Sequence, residues 1–334
     1  MSPYSHYFYN SILQMVINQN ILAFVSLFGG LVASGCTNVS HEPVQNSTTP
    51  IYFGTSLTRS AVDENKKGMQ DFLVWGGYGG ENNLFNAETV TPDGLYSGGY
   101  RYWVDGRIHN FYALHPKGVK NVVCSSDNIT VTDFDSSEKR GIDAVDLMTA
   151  SAVNLEFRKG QTAPVVNLRF SHSLSRVRFN INTMAKVKLT GIKLVGIAYK
   201  GTFSSQTDGT SPWSNLVVAT DDSTPFLHTE PIPLDVGQSL DLLAGNYDAA
   251  NNNYGDLLLI PQTITKDAVF SLTWTYDENG KSRTVNVPLP FAGAMAWEPG
   301  MSYQYSATIP LASTDISLKV EVLGWNDKRI DADL

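Results

Sequence analysis

Val166-Asn167-Leu168-Arg169-Phe170, then Ser171-His172-Ser173-Leu174-Ser175-Arg176, then Val177-Arg178-Phe179-Asn180-Ile181: two clean apolar–polar alternations joined by a short polar link. Alternation with a period of two puts one face of a strand in a core and the other in water. The same pattern occurs upstream in Val153-Asn154-Leu155-Glu156-Phe157. It returns downstream over 189–197, 270–276, 284–287, 303–309 and 316–322. Turn dipeptides such as Asp105-Gly106, Asn279-Gly280 and Pro299-Gly300 separate these runs. No stretch after residue 36 carries a sustained helical stripe; one helical turn is expected near 171–175. Many short, turn-bounded strands predict an all-β chain built of antiparallel sandwiches. The weakest patterning is 64–99, rich in Gly and Asn, which reads as a long loop or irregular strands.

The amino terminus has a different character. Residues 21–36 form an apolar run ending Ala33-Ser34-Gly35-Cys36. Its core, 21–32, is shorter than the ~20 residues a spanning helix needs, and has the length of a signal-peptide core. The small residues before Cys36 resemble a lipobox, where a lipid joins the cysteine thiol and the chain is cut just before it. Two features depart from that pattern: Ala stands at 33 where Leu is commoner, and no Lys or Arg precedes the core. An ordinary cleaved signal with an incidental cysteine is the alternative. The expected organisation is a signal peptide over 1–35, a polar tether over 36–50, one sandwich over 51–164 and a second over 165–334. The boundary falls in the polar, Gly- and Pro-containing stretch 158–164.

Residues 1–35 carry no Asp, Glu, Lys or Arg, so the rest of the chain holds the whole formal charge of −8. Mild acidity with scattered cations excludes the basic stripe of a nucleic-acid surface. If Cys36 is acylated, Cys124 has no partner for a disulfide, so burial and backbone pairing must hold the fold.

No catalytic signature is present: no G-x-S-x-G, no H-E-x-x-H and no P-loop. Gly76-Gly77-Tyr78-Gly79-Gly80 is not followed by a helix with Lys-Ser/Thr, so it is no phosphate cradle. His109 and His115 can approach each other across a turn, but without a nearby carboxylate they make a poor metal site. Neither a cofactor nor a metal is expected. Asp127 and Asp221-Asp222 sit in turn-like surroundings, where Asp caps far more often than it catalyses. Trp75, Tyr78, Tyr100, Tyr102 and Trp103 cluster in sequence, either as a sugar-stacking face or, more in keeping with sheets, as core.

Four segments stand out together: Asp146-Leu147-Met148-Thr149-Ala150 with the strand that follows, 168–179, Leu257-Leu258-Leu259-Ile260-Pro261-Gln262, and Trp297-Glu298-Pro299-Gly300-Met301-Ser302-Tyr303-Gln304-Tyr305 closing with 320–325. In this order and spacing they resemble the fimbrillin-like (Mfa-like) family, which contains type V pilus subunits. The resemblance implies two tandem transthyretin-like sandwiches and a lipoprotein precursor that reaches the outer membrane. In polymerising members an arginine-specific protease cuts just past the first strand, and a strand of the next subunit fills the groove left behind. Carried onto this chain, the first strand is 51–57 and the cut falls between Arg59 and Ser60. Arg59 is the first Lys or Arg of the chain; otherwise it is a surface loop residue. The expected partners are other fimbrial subunits, the outer membrane through Cys36, and host or bacterial surface ligands. The donor strand is expected in 315–325, which is otherwise an ordinary strand of the second sandwich. A monomeric lipoprotein that binds glycans is the rival expectation.

Overall fold

The computed structural model describes residues 46–57, 69–139, 143–205, 211–242, 257–277, 280–289, 296–311 and 316–324. The signal peptide and most of the tether, with Cys36, lie outside them, as do Arg59 and Ser60. The described chain is all-β, with no α-helix among the described residues. Among those residues no helix is long and apolar enough to cross a membrane.

In chain order the first half runs β1 (Asn46–Pro50), β2 (Phe53–Leu57), β3 (Phe72–Tyr78), β4 (Phe85–Val90), β5 (Tyr102–Val104), β6 (Arg107–His115), β7 (Val122–Ser125), β8 (Asn128–Asp135), β9 (Met148–Phe157) and β10 (Val166–His172). The second half runs β11 (Ser175–Thr183), β12 (Val187–Val195), β13 (Ala198–Ser204), β14 (Trp213–Val218), β15 (Leu227–His228), β16 (Ile232–Leu234), β17 (Ser239–Leu242), β18 (Leu257–Leu259), β19 (Gln262–Thr263), β20 (Val269–Tyr276), β21 (Ser282–Pro288), β22 (Ala296–Trp297), β23 (Met301–Ile309) and β24 (Ser317–Gly324).

A six-stranded sheet, β2-β10-β9-β6-β3-β4, organises the first sandwich. Its central strands β3 and β6 are covered on both faces. Phe72, Val74, Phe111 and Ala113 join one core with Ile51, Phe53, Val90 and Trp103. Trp75, Tyr112 and Leu114 join another, against Ile129, Val131, Phe203 and Trp213 of the sheet β14-β13-β8-β7. This explains β3, which lies where a loop or irregular strand was expected. A strand buried on both sides shows a continuous apolar run and no alternation. Its glycines serve close packing: a Cβ on Gly77 would fall 1.9 Å from Asn83 Oδ1.

The second sandwich faces β17-β11-β23-β24 against β15-β12-β20-β21, with β18 also on β11 and β16 also on β12. Its core contains Phe179 stacked between Phe270 and Tyr305, at 4.6 and 5.1 Å between ring centroids. Burial pushes the Tyr305 hydroxyl up to about 12, against the hydrogen bond it accepts from Trp297 Nε1 at 3.0 Å.

Three expectations are corrected. Residues 158–164 connect β9 to β10, which pair antiparallel at Ser171↔Thr149 and His172↔Met148. The division therefore falls after β10, at Ser173-Leu174, and not at 164/165. It is also not a single cut: β13 pairs with β8, so a hairpin from the second half completes the first sandwich. No helical turn forms at 171–175; the chain bends at Leu174 between β10 and β11. The tether is shorter than drawn, because Asn46–Pro50 pair as β1 with β5.

The family-like segments meet at the junction between the sandwiches. Gly300 N–H donates to Leu174 O at 2.9 Å, and Ser175 Oγ donates to Glu298 O at 2.8 Å. Leu257-Leu258-Leu259-Ile260 lies between the two cores. Leu257 and Leu259 face the second sandwich, and Leu258 and Ile260 the first, so the run is apolar throughout. Gln262 closes it, its amide accepting from Ala198 N–H and donating to Ala198 O.

Candidate strand-exchange site

The segment 46–57 is attached along one margin of the first sandwich. β2 is the outermost strand of its sheet. It runs parallel to β10, from Phe53↔Val166 to Leu57↔Phe170. Among the described residues β10 is bridged to β9 only at Ser171 and His172, so β2 is the ladder partner of Val166–Phe170. Val166 N–H donates to Tyr52 O at 2.9 Å.

Alternation sends Ile51 and Phe53 inward. Both are buried, Ile51 completely. The Phe53 ring meets Phe85 at 5.1 Å, Phe111 at 5.8 Å and Tyr96 at 5.9 Å, each edge to face. Burying two such side chains is worth about 1.5–3 kcal/mol each. The polar outward face of β2 lies at the sheet margin, where an edge is a template for another strand.

The strap over 91–101 holds this segment from the other side. Tyr96 Oη donates to Ile51 O at 2.9 Å, Ile51 N–H donates to Arg101 O at 2.8 Å, and Thr55 Oγ1 donates to Pro92 O at 2.8 Å. Burial raises the Tyr96 hydroxyl above its ordinary value. Gly94, at φ +81°, lies so close over β2 that a Cβ there would fall 2.1 Å from Phe53 O. Arg101 fixes the strap: it pairs with Glu88 at 3.1 Å and donates to Gly98 O, Gly99 O and Leu84 O. The role of Gly94 and Tyr96 in the strap carried no periodic signal in the sequence, because an irregular strap has no period. Its glycines at 94, 98 and 99 and its turn residues were the available cue.

β24 is the edge strand of its own sheet, paired with β23 from Thr308↔Ser317 to Met301↔Gly324. The expected donor segment is thus seated in the second sandwich.

The other candidates resolve into structure. His109 and His115 stand near opposite ends of β6 and do not meet. Each accepts a backbone N–H at Nε2, from Val104 at 3.2 Å and Gln70 at 3.1 Å, with Nδ1 on a carbonyl, of Arg107 and Asp146 respectively. A backbone N–H can only donate, so both rings are neutral with the proton on Nδ1. Among the described residues no cluster of three His, Cys, Asp or Glu is placed to hold a metal. His172 Nδ1 lies 2.8 Å from Asp146 Oδ1 at the β10–β11 crossing. Trp75 and Trp103 are buried in the core, whereas Tyr100 and Tyr102 are exposed, so the five aromatics do not form one sugar-stacking face. Cys124 is half-buried, with burial raising its thiol.

The model of the fimbrillin-like family matches residues 58–325. The chain belongs to the fimbrillin-like family. Solved structures agree at the level of fold. A proposed cell adhesion protein of Bacteroides ovatus is 13% identical, with a TM-score of 0.53 over 84% of this chain and 99% of its own. A fimbrial protein of Bacteroides vulgatus is 16% identical, with a TM-score of 0.52 over 82% of this chain and 99% of its own. The comparison with curated proteins found no match.

Proposed function

We propose that this chain is a structural subunit or accessory protein of a fimbria, exported as a lipoprotein through Cys36 and assembled by donor-strand exchange in the service of adhesion. It acts by association at the cell surface and not by catalysis. Membership of the fimbrillin-like family supports the fimbrial role. The observation that carries the mechanism is the seat of the segment 51–57: Ile51 and Phe53 complete a core, and the edge strand β2 is the ladder neighbour of Val166–Phe170 among the described residues. A cut between Arg59 and Ser60 would release β1 and β2 together. A strand from a neighbour would restore backbone bonds worth about 0.5–1.5 kcal/mol each and refill the two apolar positions. Head-to-tail contacts of this kind do not close, so they build filaments.

The test is processing. An arginine-specific protease acting on the purified precursor is expected to give a product that begins at Ser60 and forms ladders in unheated gels. Mass spectrometry of the precursor from membranes is expected to find lipid on Cys36. A trimmed product that stays monomeric overturns strand exchange, and an unmodified Cys36 overturns the lipoprotein route.

A further inference from the structure

The turn of the β3–β4 hairpin faces the turn of the β7–β8 hairpin across a cleft of about 450 Å³, lined by Glu81, Asn82, Asn83, Asn86, Ser125 and Ser126 among others. Asn82 ties the two turns together, its Nδ2 donating to Cys124 O at 3.3 Å. Its Oδ1 is shut off from solvent and has no hydrogen-bond partner among the described residues. Asn83 is committed to the turn itself, accepting from Tyr78 N–H and donating to Tyr78 O, both at 3.1 Å. That clamp sets the cleft wall before any ligand arrives.

The backbone on both sides is held in unusual shapes. Asn86 lies where β4 slips out of register with β3 between Val74 and Gly76. The next residue, Ala87, has φ 56°, and Ser126 across the cleft has φ 55°. The left-handed region disfavours residues with a Cβ. The bulge re-aims Asn86, and Ser126 holds the positive φ that a two-residue hairpin turn between Ser125 and Asn128 requires.

The wall chemistry selects the ligand class. Among the described residues no Lys or Arg lines the cleft, which disfavours an anion. Among them Glu81 is the one carboxylate in the lining, too little charge for a hard cation that wants several oxygen ligands. No large apolar side chain among them lines it, so an apolar ligand would gain little. What fits is a neutral molecule whose groups both donate and accept, since amides and hydroxyls do the same. The volume lies in the ~300–1,000 Å³ range of small-molecule sites. We infer that this cleft binds a neutral saccharide. It stands apart from strand exchange: β4 pairs with β3 and β7 with β8, and neither pairs with β1 or β2.

The experiment uses the full chain and free galactose, glucose, mannose, fucose, N-acetylglucosamine and N-acetylgalactosamine, followed by saturation-transfer NMR and amide shifts. At least one sugar is expected to saturate, with shifts confined to the turns at 79–86 and 123–128. Asn86→Ala combined with Ser125→Ala removes two exposed polar groups outside either core. This pair is expected to weaken binding about tenfold, the loss of two ordinary hydrogen bonds. Asn82→Ala cuts the tie to Cys124 O and should weaken binding by loosening the two turns, and circular dichroism of each variant separates that from unfolding. Absence of a saturable response to every sugar overturns the inference. So does a response unchanged in the double variant, or the same shifts produced by calcium chloride in place of sugar. Because β2 is untouched by these variants, strand exchange can succeed or fail without altering the outcome.

Discussion

The hydroxyl of Tyr96 donates to the carbonyl of Ile51 at 2.9 Å, joining the strap over 91–101 to the chain just before its first edge strand. The same oxygen accepts from Arg101 N–H at 3.2 Å, so one phenol sets both strap and strand. Tyr96→Phe keeps the ring beside Phe53 and Phe85 and removes only the hydroxyl. It leaves a buried carbonyl without this donor, an effect of about 1–3 kcal/mol. Urea unfolding should show that loss, and hydrogen exchange should show faster opening in 51–57 than in the second sandwich. Equal protection in both regions would mean that the strap does not retain β2.

Phe53 and Phe179 occupy matched roles in different cores. Phe53→Ala opens a cavity beside Phe85 and Phe111, and Phe179→Ala one between Phe270 and Tyr305. Each should destabilise by about 3–5 kcal/mol. Their local consequences should differ. Only Phe53→Ala weakens the hold on β2, so only it should raise exchange at Val166, whose N–H donates to Tyr52 O. Exchange at Val166 rising equally in both variants would contradict the separate seating of β2.

Legibility in the sequence followed exposure to water. Strands with one wet face, such as β10, β11, β20 and β23, announced themselves by alternation, and with them the all-β class. β3 did not, because both its faces are covered and glycines occupy 76 and 77. The sandwich boundary was missed for a related reason. A Gly- and Pro-containing connection looks the same whether it joins two strands of one sheet or two sandwiches, and only the pairing of β10 with β9 and β2 distinguishes them. The pairing of β13 with β8 spans a distance in sequence that no local pattern encodes. At the candidate site, the strand over 51–57 was legible, but its parallel register and the clamp by Gly94, Tyr96 and Arg101 were not. Those depend on an irregular segment folding back over it.

Stability should fall as the solution is acidified, through His109 and His115. Burial lowers both imidazoles below their ordinary value near pH ~6.5, and each ring must keep Nε2 unprotonated to accept its backbone N–H. Below about pH 6.5 the unfolded chain binds protons that the folded chain refuses, so stability rises with pH through this range. The contribution is complete above about pH 6.5 and is lost progressively below it. The urea midpoint should therefore be flat just above that pH and decline beneath it. His115→Gln, whose amide can accept from Gln70 N–H and donate to Asp146 O, should show a shallower decline. An identical slope in the variant would remove His115 from the account.

Gly94→Ala should detach β2 more effectively than any side-chain truncation. Two effects combine at this position. At φ +81° an alanine is strained, by roughly 1–2 kcal/mol. Its Cβ would also fall 2.1 Å from Phe53 O, a backbone atom that cannot swing aside, so either the strap or β2 must move. Gly106→Ala separates the two effects. Gly106 has φ +66° but nothing within 4 Å of a built Cβ, so it carries the strain without the clash. The expected result is a modest loss of stability for Gly106→Ala with 51–57 still protected, and for Gly94→Ala a larger loss with rapid exchange throughout 51–57. In the presence of a synthetic peptide of sequence 51–57, only the Gly94→Ala protein should bind it, because only there is the edge of β10 open to an incoming strand. Equal behaviour of the two alanine variants would show that the strap lies over β2 without holding it.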